Sequence, residues 1–225
     1  MLLLALDTAT PAVTAALHDG TRVLAAAREV DARRHGELLL PAVDRVLAEA
    51  GRELVEVTAL VVGTGPGPYT GLRVGLATAA ALGAALAVPV HGVCTLDALA
   101  WEAAESGLAG LAGPFLVATD ARRKEVYWAR YADGRTRTGG PAVDRPAGLP
   151  AEAAGLPAVG AGALLYPEAF PGAREDGPLH ASAAALAGLA AERLAAGAAL
   201  EAPVPLYLRR PDARVPAGYK AVTRG

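Results

Sequence analysis

Apolar residues in the first half of the chain alternate between short unbroken runs and longer stretches of helical period. Residues 2–6 form a continuous apolar run that ends at Asp7, the pattern of a strand buried on both faces. Two further strands are predicted at 12–17 and 22–29, separated by the turn signal His18-Asp19-Gly20. Residues 35–50 place Leu39, Val43, Val46, Leu47 and Ala50 at helical spacing, and Gly51 ends the run. Pro41 either starts the regular part of that helix or kinks it. A strand at 59–62 leads into a Gly/Pro-dense loop, followed by a helix at 70–86 with Thr70 as its N-cap. A strand at 88–91 and a helix at 96–105 complete the half.

Three strands in a meander followed by alternating helix and strand describe a ribonuclease-H-like α/β layer. The second half begins the same way. Asp7 and Asp120, like Val13 and Val126, are 113 residues apart, and Asp133-Gly134 echoes Asp19-Gly20 with one residue inserted. Tandem halves of this kind, with a cleft between them, make the actin/sugar-kinase/Hsp70 architecture. Residues 134–177 are rich in Gly, Pro and Ala and read as loop-heavy, so the second lobe is expected to be reduced. A last helix is predicted at 181–196. The resulting division is a first lobe at 1–108, a second at 109–212 and a loose tail at 213–225.

The loop at 63–75 lies between a buried strand and a helix start, where unpaired N–H groups and the helix dipole favour anions. It has neither the Gly-Lys-Ser/Thr ending of a P-loop nor the spacing of a dinucleotide fingerprint. Two readings stand: backbone contact with a phosphate or carboxylate, or a tight turn that needs glycines. Gly71 and Gly75 fit close packing better than ligand contact. Asp7, with Thr8 and Thr10 beside it, would either hold a hydrated Mg²⁺ near phosphates or cap its own turn. Asp120 is its counterpart, or pairs with Arg122 or Arg123. Arg122-Arg123-Lys124 would contact RNA phosphate or an acidic partner, or else form a solvated hairpin tip. Tyr127, Trp128 and Tyr131 read as strand packing.

Composition removes several classes. Net charge is −2, so no overall basic field holds nucleic acid, and 53% hydrophobic residues argue against disorder. Cys94 is the single cysteine, and His18, His35, His91 and His180 have no metal-ligand spacing. The N-terminal apolar run lacks a basic flank, and the uncharged stretch at 74–90 is short and Ala/Gly-rich. A soluble, cytoplasmic protein with no membrane span is expected.

The motifs taken together resemble the TsaB (YeaZ) family. They are Leu4-Ala5-Leu6-Asp7-Thr8, His35-Gly36-Glu37-Leu38-Leu39-Leu40-Pro41, and Gly65-Pro66-Gly67 with Thr70-Gly71-Leu72-Arg73-Val74-Gly75. Pro89-Val90-His91-Gly92-Val93, Asp120-Ala121-Arg122 with Glu125-Val126-Tyr127, and Tyr207-Leu208-Arg209 continue the match. Pro68-Tyr69 departs from it, since the family usually carries Ser-Phe there. The resemblance implies a non-catalytic paralogue of TsaD, the transferase that makes N6-threonylcarbamoyladenosine at position 37 of tRNAs reading ANN codons. The metal-binding histidine pair of TsaD would fall on Thr95 and Leu99, neither of which replaces an imidazole.

By the same resemblance the chain forms homodimers, pairs alternatively with a TsaD-type subunit, and works with a TsaE-type ATPase. It meets tRNA only through the complex. Asp7, Thr8, Gly65, Gly67, Thr70 and Gly71 become a remnant phosphate or nucleotide loop. No cofactor is held tightly by the chain alone, although ATP or ADP can sit at a subunit junction. The partner surface falls on the first-lobe helices, at Leu39, Val43, Val46, Leu47, Arg73, Leu76 and Ala80, unless both helices are sandwiched within one domain. A metallohydrolase and an ATP-dependent small-molecule kinase of the same fold remain as alternatives.

Overall fold

The computed structural model describes residues 1–108, 110–153 and 155–209. Its first half contains strands β1 (Leu3–Asp7), β2 (Ala12–His18) and β3 (Val23–Val30), then helix α1 (His35–Ala50), β4 (Ala59–Gly63), α2 (Tyr69–Leu86), β5 (Val90–Val93) and α3 (Thr95–Glu105). The second half contains β6 (Phe115–Asp120), β7 (Val126–Tyr131), β8 (Arg137–Asp144), β9 (Pro157–Val159), α4 (Ala161–Leu165), β10 (Gly172–Ala173) and α5 (Ala183–Ala195). The tail expected at 213–225 lies outside the described residues.

The two sheets have one topology. The first runs β3-β2-β1-β4-β5 and the second, in the matching direction, β8-β7-β6-β9-β10. In each, the first three strands are antiparallel and the last two join in parallel. The internal repeat predicted from Asp7 and Asp120 is therefore a repeat of the winding. The 134–177 segment is more ordered than its composition suggests, since it supplies β8, β9, α4 and β10. Those strands are short or at an edge, and β8 carries Gly139-Gly140-Pro141 opposite two register irregularities, so no alternating pattern marks it. The reduction is in the helices. Two short 3₁₀ turns stand where the first half has α1, and the five-residue α4 stands where it has α2.

Every residue of β1 is buried because both faces of the first sheet are covered. Leu4, Leu6, Val13, Leu17 and Leu60 pack under α1 and α2, together with Leu39, Val43, Val46 and Leu47. The opposite face, with Leu3, Ala5, Ala16, Ala59 and Val61, is covered by Ala183, Leu186, Leu189 and Ala190 of α5. Conversely α3, which follows the first sheet in sequence, packs Leu96, Leu99 and Ala103 against Phe115, Val117 and Tyr131 of the second. Each half thus lends its last helix to the other half's sheet. The two helices meet where the Trp101 ring lies over Gly188, so close that a Cβ there would be 2.5 Å from Cη2.

Local boundaries shift in two places. Thr70 does not cap α2; the helix starts one residue earlier with Pro68 at the N-cap position and no side-chain cap. Proline's fixed φ, here −58°, sets the entry to the helix, and the Thr70 side chain is left exposed in the first turn. Strand β5 begins at Val90 rather than 88, because Ala87 leaves α2 in a left-handed conformation (φ 54°) before Pro89. Pro41 lies inside α1 on its exposed side, so the helix runs through it with one backbone donor missing.

Candidate functional site

The β1–β2 turn, the glycine loop and the N-terminus of α3 meet at Asp7. Its Oδ1 accepts the Ala9 N–H at 2.9 Å, and its Oδ2 accepts the Thr95 hydroxyl at 2.7 Å. Thr95 Oγ1 also accepts the Gly65 N–H at 3.1 Å, while the Thr95 N–H donates to the Gly65 carbonyl at 2.8 Å. Gly63 makes room for the carboxylate, since a Cβ there would be 1.8 Å from Oδ2. Asp7 is fully buried. Of its two readings, the packing supports the carboxylate that caps its own turn, since both oxygens face the chain itself.

Burial raises the Asp7 pKa from 3.8 to about 6, outweighing the hydrogen bonds from Thr95 and Ala9 and the charge of His35, which lower it. A carboxyl that binds its proton more tightly when folded adds stability below pH ~3.8, and that contribution is lost as pH rises through ~6. Asp7→Asn is therefore expected to fall about 1 kcal/mol below the parent near pH 4 and to exceed it by about 1–2 kcal/mol at pH 7.5. The gain falls short of the full shift because the Thr95 hydroxyl loses its acceptor. Urea unfolding at several pH values checks this, and a stability difference that does not vary with pH would refute it.

Thr8 fastens the same turn to α2. Its hydroxyl donates to the Gly71 carbonyl at 2.7 Å and accepts the Gly75 N–H at 2.9 Å. A Cβ on Gly75 would lie 2.6 Å from Thr8 Oγ1, one on Gly71 2.7 Å from the Thr8 carbonyl oxygen, and one on Gly67 2.1 Å from the Ala9 carbonyl oxygen. Gly65, at φ +88°, turns the loop where a side chain would be strained. Three of these glycines thus admit the protein's own β1–β2 turn, and a carbonyl oxygen stands at Gly67 where an anion would need a donor. Of the two readings of the loop, the tight turn is the one this packing supports.

Two cavities flank the β1–β2 turn. One, of about 340 Å³, lies between the lobes, bounded by Thr10 and Pro11 on one side and by Asp120, Leu164 and His180 on the other. The second, of about 270 Å³, lies between the starts of α1 and α2, with Thr70 and Gly71 in its wall and Arg33 and Arg122 beside them. His35 Nε2 donates to the Thr10 carbonyl at 2.9 Å. Asp120 pairs with Arg122, which approaches it with the backbone N–H at 2.7 Å and the guanidinium at 3.6 Å. Among the described residues no three His, Cys, Asp or Glu side chains converge so as to hold a metal ion. Leu99, at the second expected histidine position, is buried in the core.

The expected partner residues divide sharply. Leu39, Val43, Val46 and Leu47 are 0–8% exposed beneath the first sheet, so they are core and cannot be touched by a partner; this corrects their assignment. The apolar stripe of α1 is used up by the sheet. On α2, Arg73 and Ala80 are exposed and Leu76 is half-buried. The buried side of α2 is Gly71, Leu72, Gly75, Ala79 and Gly83, and only 28% of this 18-residue helix is buried. By length and composition it could cross a membrane, yet here it packs on β4, β1 and α1. Its outer face presents Ala77, Ala80, Ala81, Ala84 and Ala85, with Leu40 of α1 51% exposed.

One contributor escaped the reading of single residues. Tyr207 packs against Tyr69 with the rings tilted by 31° and their centroids 5.2 Å apart, and the Arg73 guanidinium lies 4.1 Å over the Tyr69 ring. Arg73 Nε donates to Tyr207 Oη at 3.1 Å. The segment Tyr207-Leu208-Arg209 stood out only as part of the family motif, because nothing local in it says which surface it reaches.

A repeated β-meander and crossover winding, joined at glycine turns on a shared cleft, defines a two-lobed α/β protein of the actin/sugar-kinase/Hsp70 architecture. Within that class, the family model described as TsaD, tRNA N6-adenosine threonylcarbamoyltransferase, matches residues 28–164. The chain is 47% identical to an uncharacterized protein of Mycobacterium tuberculosis over 216 residues, 94% of this chain and 93% of that protein. It is 41% identical to the tRNA threonylcarbamoyladenosine biosynthesis protein TsaB of Escherichia coli over 133 residues, 58% of this chain and 55% of that protein. The solved structure of YeaZ from Pseudomonas aeruginosa matches 92% of this chain and 99% of its own, with a TM-score of 0.79 and 35% identity. This chain belongs to the TsaB (YeaZ) family. Its TsaB-named relatives are tRNA threonylcarbamoyladenosine biosynthesis proteins by name.

Proposed function

We propose that this chain is a non-catalytic subunit of a complex that makes threonylcarbamoyladenosine in tRNA, acting by dimerising with and activating a TsaD-type transferase in the cytoplasm. The observation that carries the reading is the helix α2, an apolar helix whose outer alanine face is open to solvent beside the exposed Tyr69, Arg73 and Tyr207. Aromatic and arginine side chains next to a small-residue face are the composition of a docking surface. The sealed Asp7–Thr95 clamp supports the absence of chemistry on this chain, as does Leu99 in the core. A metallohydrolase lacks its donor set among the described residues, and a kinase lacks an open carboxylate at Asp7.

In this reading a second copy of the chain covers α2 when the TsaD-type subunit is absent. A TsaE-type ATPase joins the pair, ATP or ADP is held at a subunit junction, and tRNA is met through the assembly. The test mixes purified chain, TsaD-type and TsaE-type homologues, threonylcarbamoyl-adenylate and unmodified tRNA, with mass spectrometry of the digested nucleosides. Modification is expected only when the TsaD-type subunit is present, and to fall at least tenfold without this chain. Turnover by this chain alone would overturn the proposal.

A further inference from the structure

After α5 the chain crosses back over both lobes. The Gly92 N–H donates to the Glu201 carbonyl at 2.7 Å, so residue 201 bridges the outer edge of β5. The Leu206 N–H then donates to the Thr64 carbonyl at 2.8 Å, beside the glycine loop. At Tyr207 the strap meets Tyr69 and Arg73 at the start of α2. Two residues later it is on the other lobe. Arg209 Nη1 donates to the Ala121 carbonyl at 3.0 Å, and its Nη2 pairs with the Glu125 carboxylate.

What Arg209 grips is the β6–β7 turn, where Arg122, Arg123 and Lys124 have φ of 62°, 55° and 61°. Left-handed backbone costs a residue with a side chain about 1–2 kcal/mol, so three in succession persist only where the surroundings over-determine them. Within the hairpin the constraints include the Arg122 N–H on Asp120 and the bonds linking Ala121, Arg122 and Glu125. The Arg209 fork spans Ala121 and Glu125 from outside. The turn sets where the cations stand, since Arg122 borders the 270 Å³ cavity and Lys124 a separate space of about 650 Å³ with Arg145.

We propose that the strap couples the exposed start of α2 to this cationic turn: contact at Tyr69, Arg73 and Tyr207 on one lobe governs how firmly Arg209 holds Arg122–Lys124 on the other. The inference rests on the reading of α2 as a docking face. The two residues from Tyr207 to Arg209 span at most about 7 Å, so the two contacts are held on one short length of backbone. A partner that takes the Arg73 or Tyr69 ring contacts from Tyr207 therefore also pulls on the Arg209 fork. Coupling of this kind needs one element that contacts both sites, and the strap does so at Tyr207 and at Arg209.

The test is amide hydrogen exchange on the full chain and on its Tyr207→Ala and Arg209→Met variants. Arg209→Met is expected to speed exchange at Ala121, Arg122 and Glu125 about tenfold or more, by removing the clamp from outside the hairpin. Tyr207→Ala, which removes the ring contact with Tyr69 and the bond from Arg73 on the first lobe, is expected to speed the same amides severalfold and to leave β9 unchanged. Turn amides indifferent to Tyr207→Ala would overturn the coupling, as would amides indifferent to Arg209→Met. Adding the TsaD-type homologue to the parent chain should alter the turn amides as well, and a complex that forms without altering them would also overturn it. Failure to form any complex counts against the docking reading alone, since the Tyr207→Ala arm has by then decided the coupling.

Discussion

Val46→Arg is expected to unfold the chain, whereas Ala80→Arg should leave it folded and unable to associate. Val46 has no exposed surface and lies in the cluster formed by α1 and the first sheet, among Leu4, Leu6 and Leu60. An arginine there either buries a guanidinium without a partner or forces α1 off the sheet. Either cost exceeds about 4 kcal/mol, a large share of the 5–15 kcal/mol that stabilises a domain of ordinary size. Ala80 is exposed on the outer face of α2, where arginine propagates a helix nearly as well as alanine. Folding should change by less than about 0.5 kcal/mol. A charge buried at a paired α2 face, however, costs about 2–5 kcal/mol, or a loss of affinity between about 30-fold and several thousand-fold. Thermal unfolding by circular dichroism separates the two variants. Sedimentation with and without the TsaD-type subunit reads the association, and undiminished assembly of Ala80→Arg would place the interface elsewhere.

Asp97→Ala is the second large effect. Asp97 is 6% exposed on α3, and one carboxylate oxygen accepts Tyr131 Oη at 2.8 Å and Arg137 Nη1 at 2.9 Å. The other faces Arg193 Nη2 of α5 at 3.4 Å. One side chain thus ties α3 to β7, β8 and α5, the elements that carry the exchange of helices between halves. Removing it takes the paired carboxylate from two half-buried guanidinium groups and the acceptor from a buried phenol, whose pKa burial already pushes well up. The expected cost is about 3 kcal/mol, the low end for breaking a buried pair because water reaches both arginines, which lowers Tm by about 10 °C in a chain this long. Cys94, the single cysteine, sits at the N-cap of α3 and reports on the same loss. Its thiol is buried and pushed up to about 12, so a disulfide reagent should react slowly with the parent and at least tenfold faster with Asp97→Ala. Equal thiol reactivity in the two would mean that Asp97 does not hold α3 in place.

These two sites show how far local pattern reaches. The helical spacing of Leu39, Val43, Val46 and Leu47 was enough to show that they share one side of α1. It did not say whether a sheet of the same chain or a second protein covers that side, because periodicity records a face and not its neighbour. The same holds at Asp7. Its place at the end of an apolar strand, beside Thr8 and before a glycine loop, is visible in the sequence. Its burial depends on Thr95 and Gly65, and Thr95 is 88 residues away along the chain. Gly67, Gly71 and Gly75 were legible as positions needing glycine, and it was the carbonyls and hydroxyl of residues 8 and 9 that said why.

The sequence by itself determined the two-lobed winding, the order of its main elements and the family, because strand runs, helical spacing and glycine turns are set by neighbours along the chain. Only the tertiary structure decided that α3 and α5 exchange sheets, that Asp7 is sealed by Thr95, that α1 turns its apolar side inward while α2 leaves one outward, and that residues 200–209 strap the lobes together. Those outcomes rest on contacts between segments far apart in sequence, where packing and the burial of charge choose among partners that a local pattern leaves equivalent.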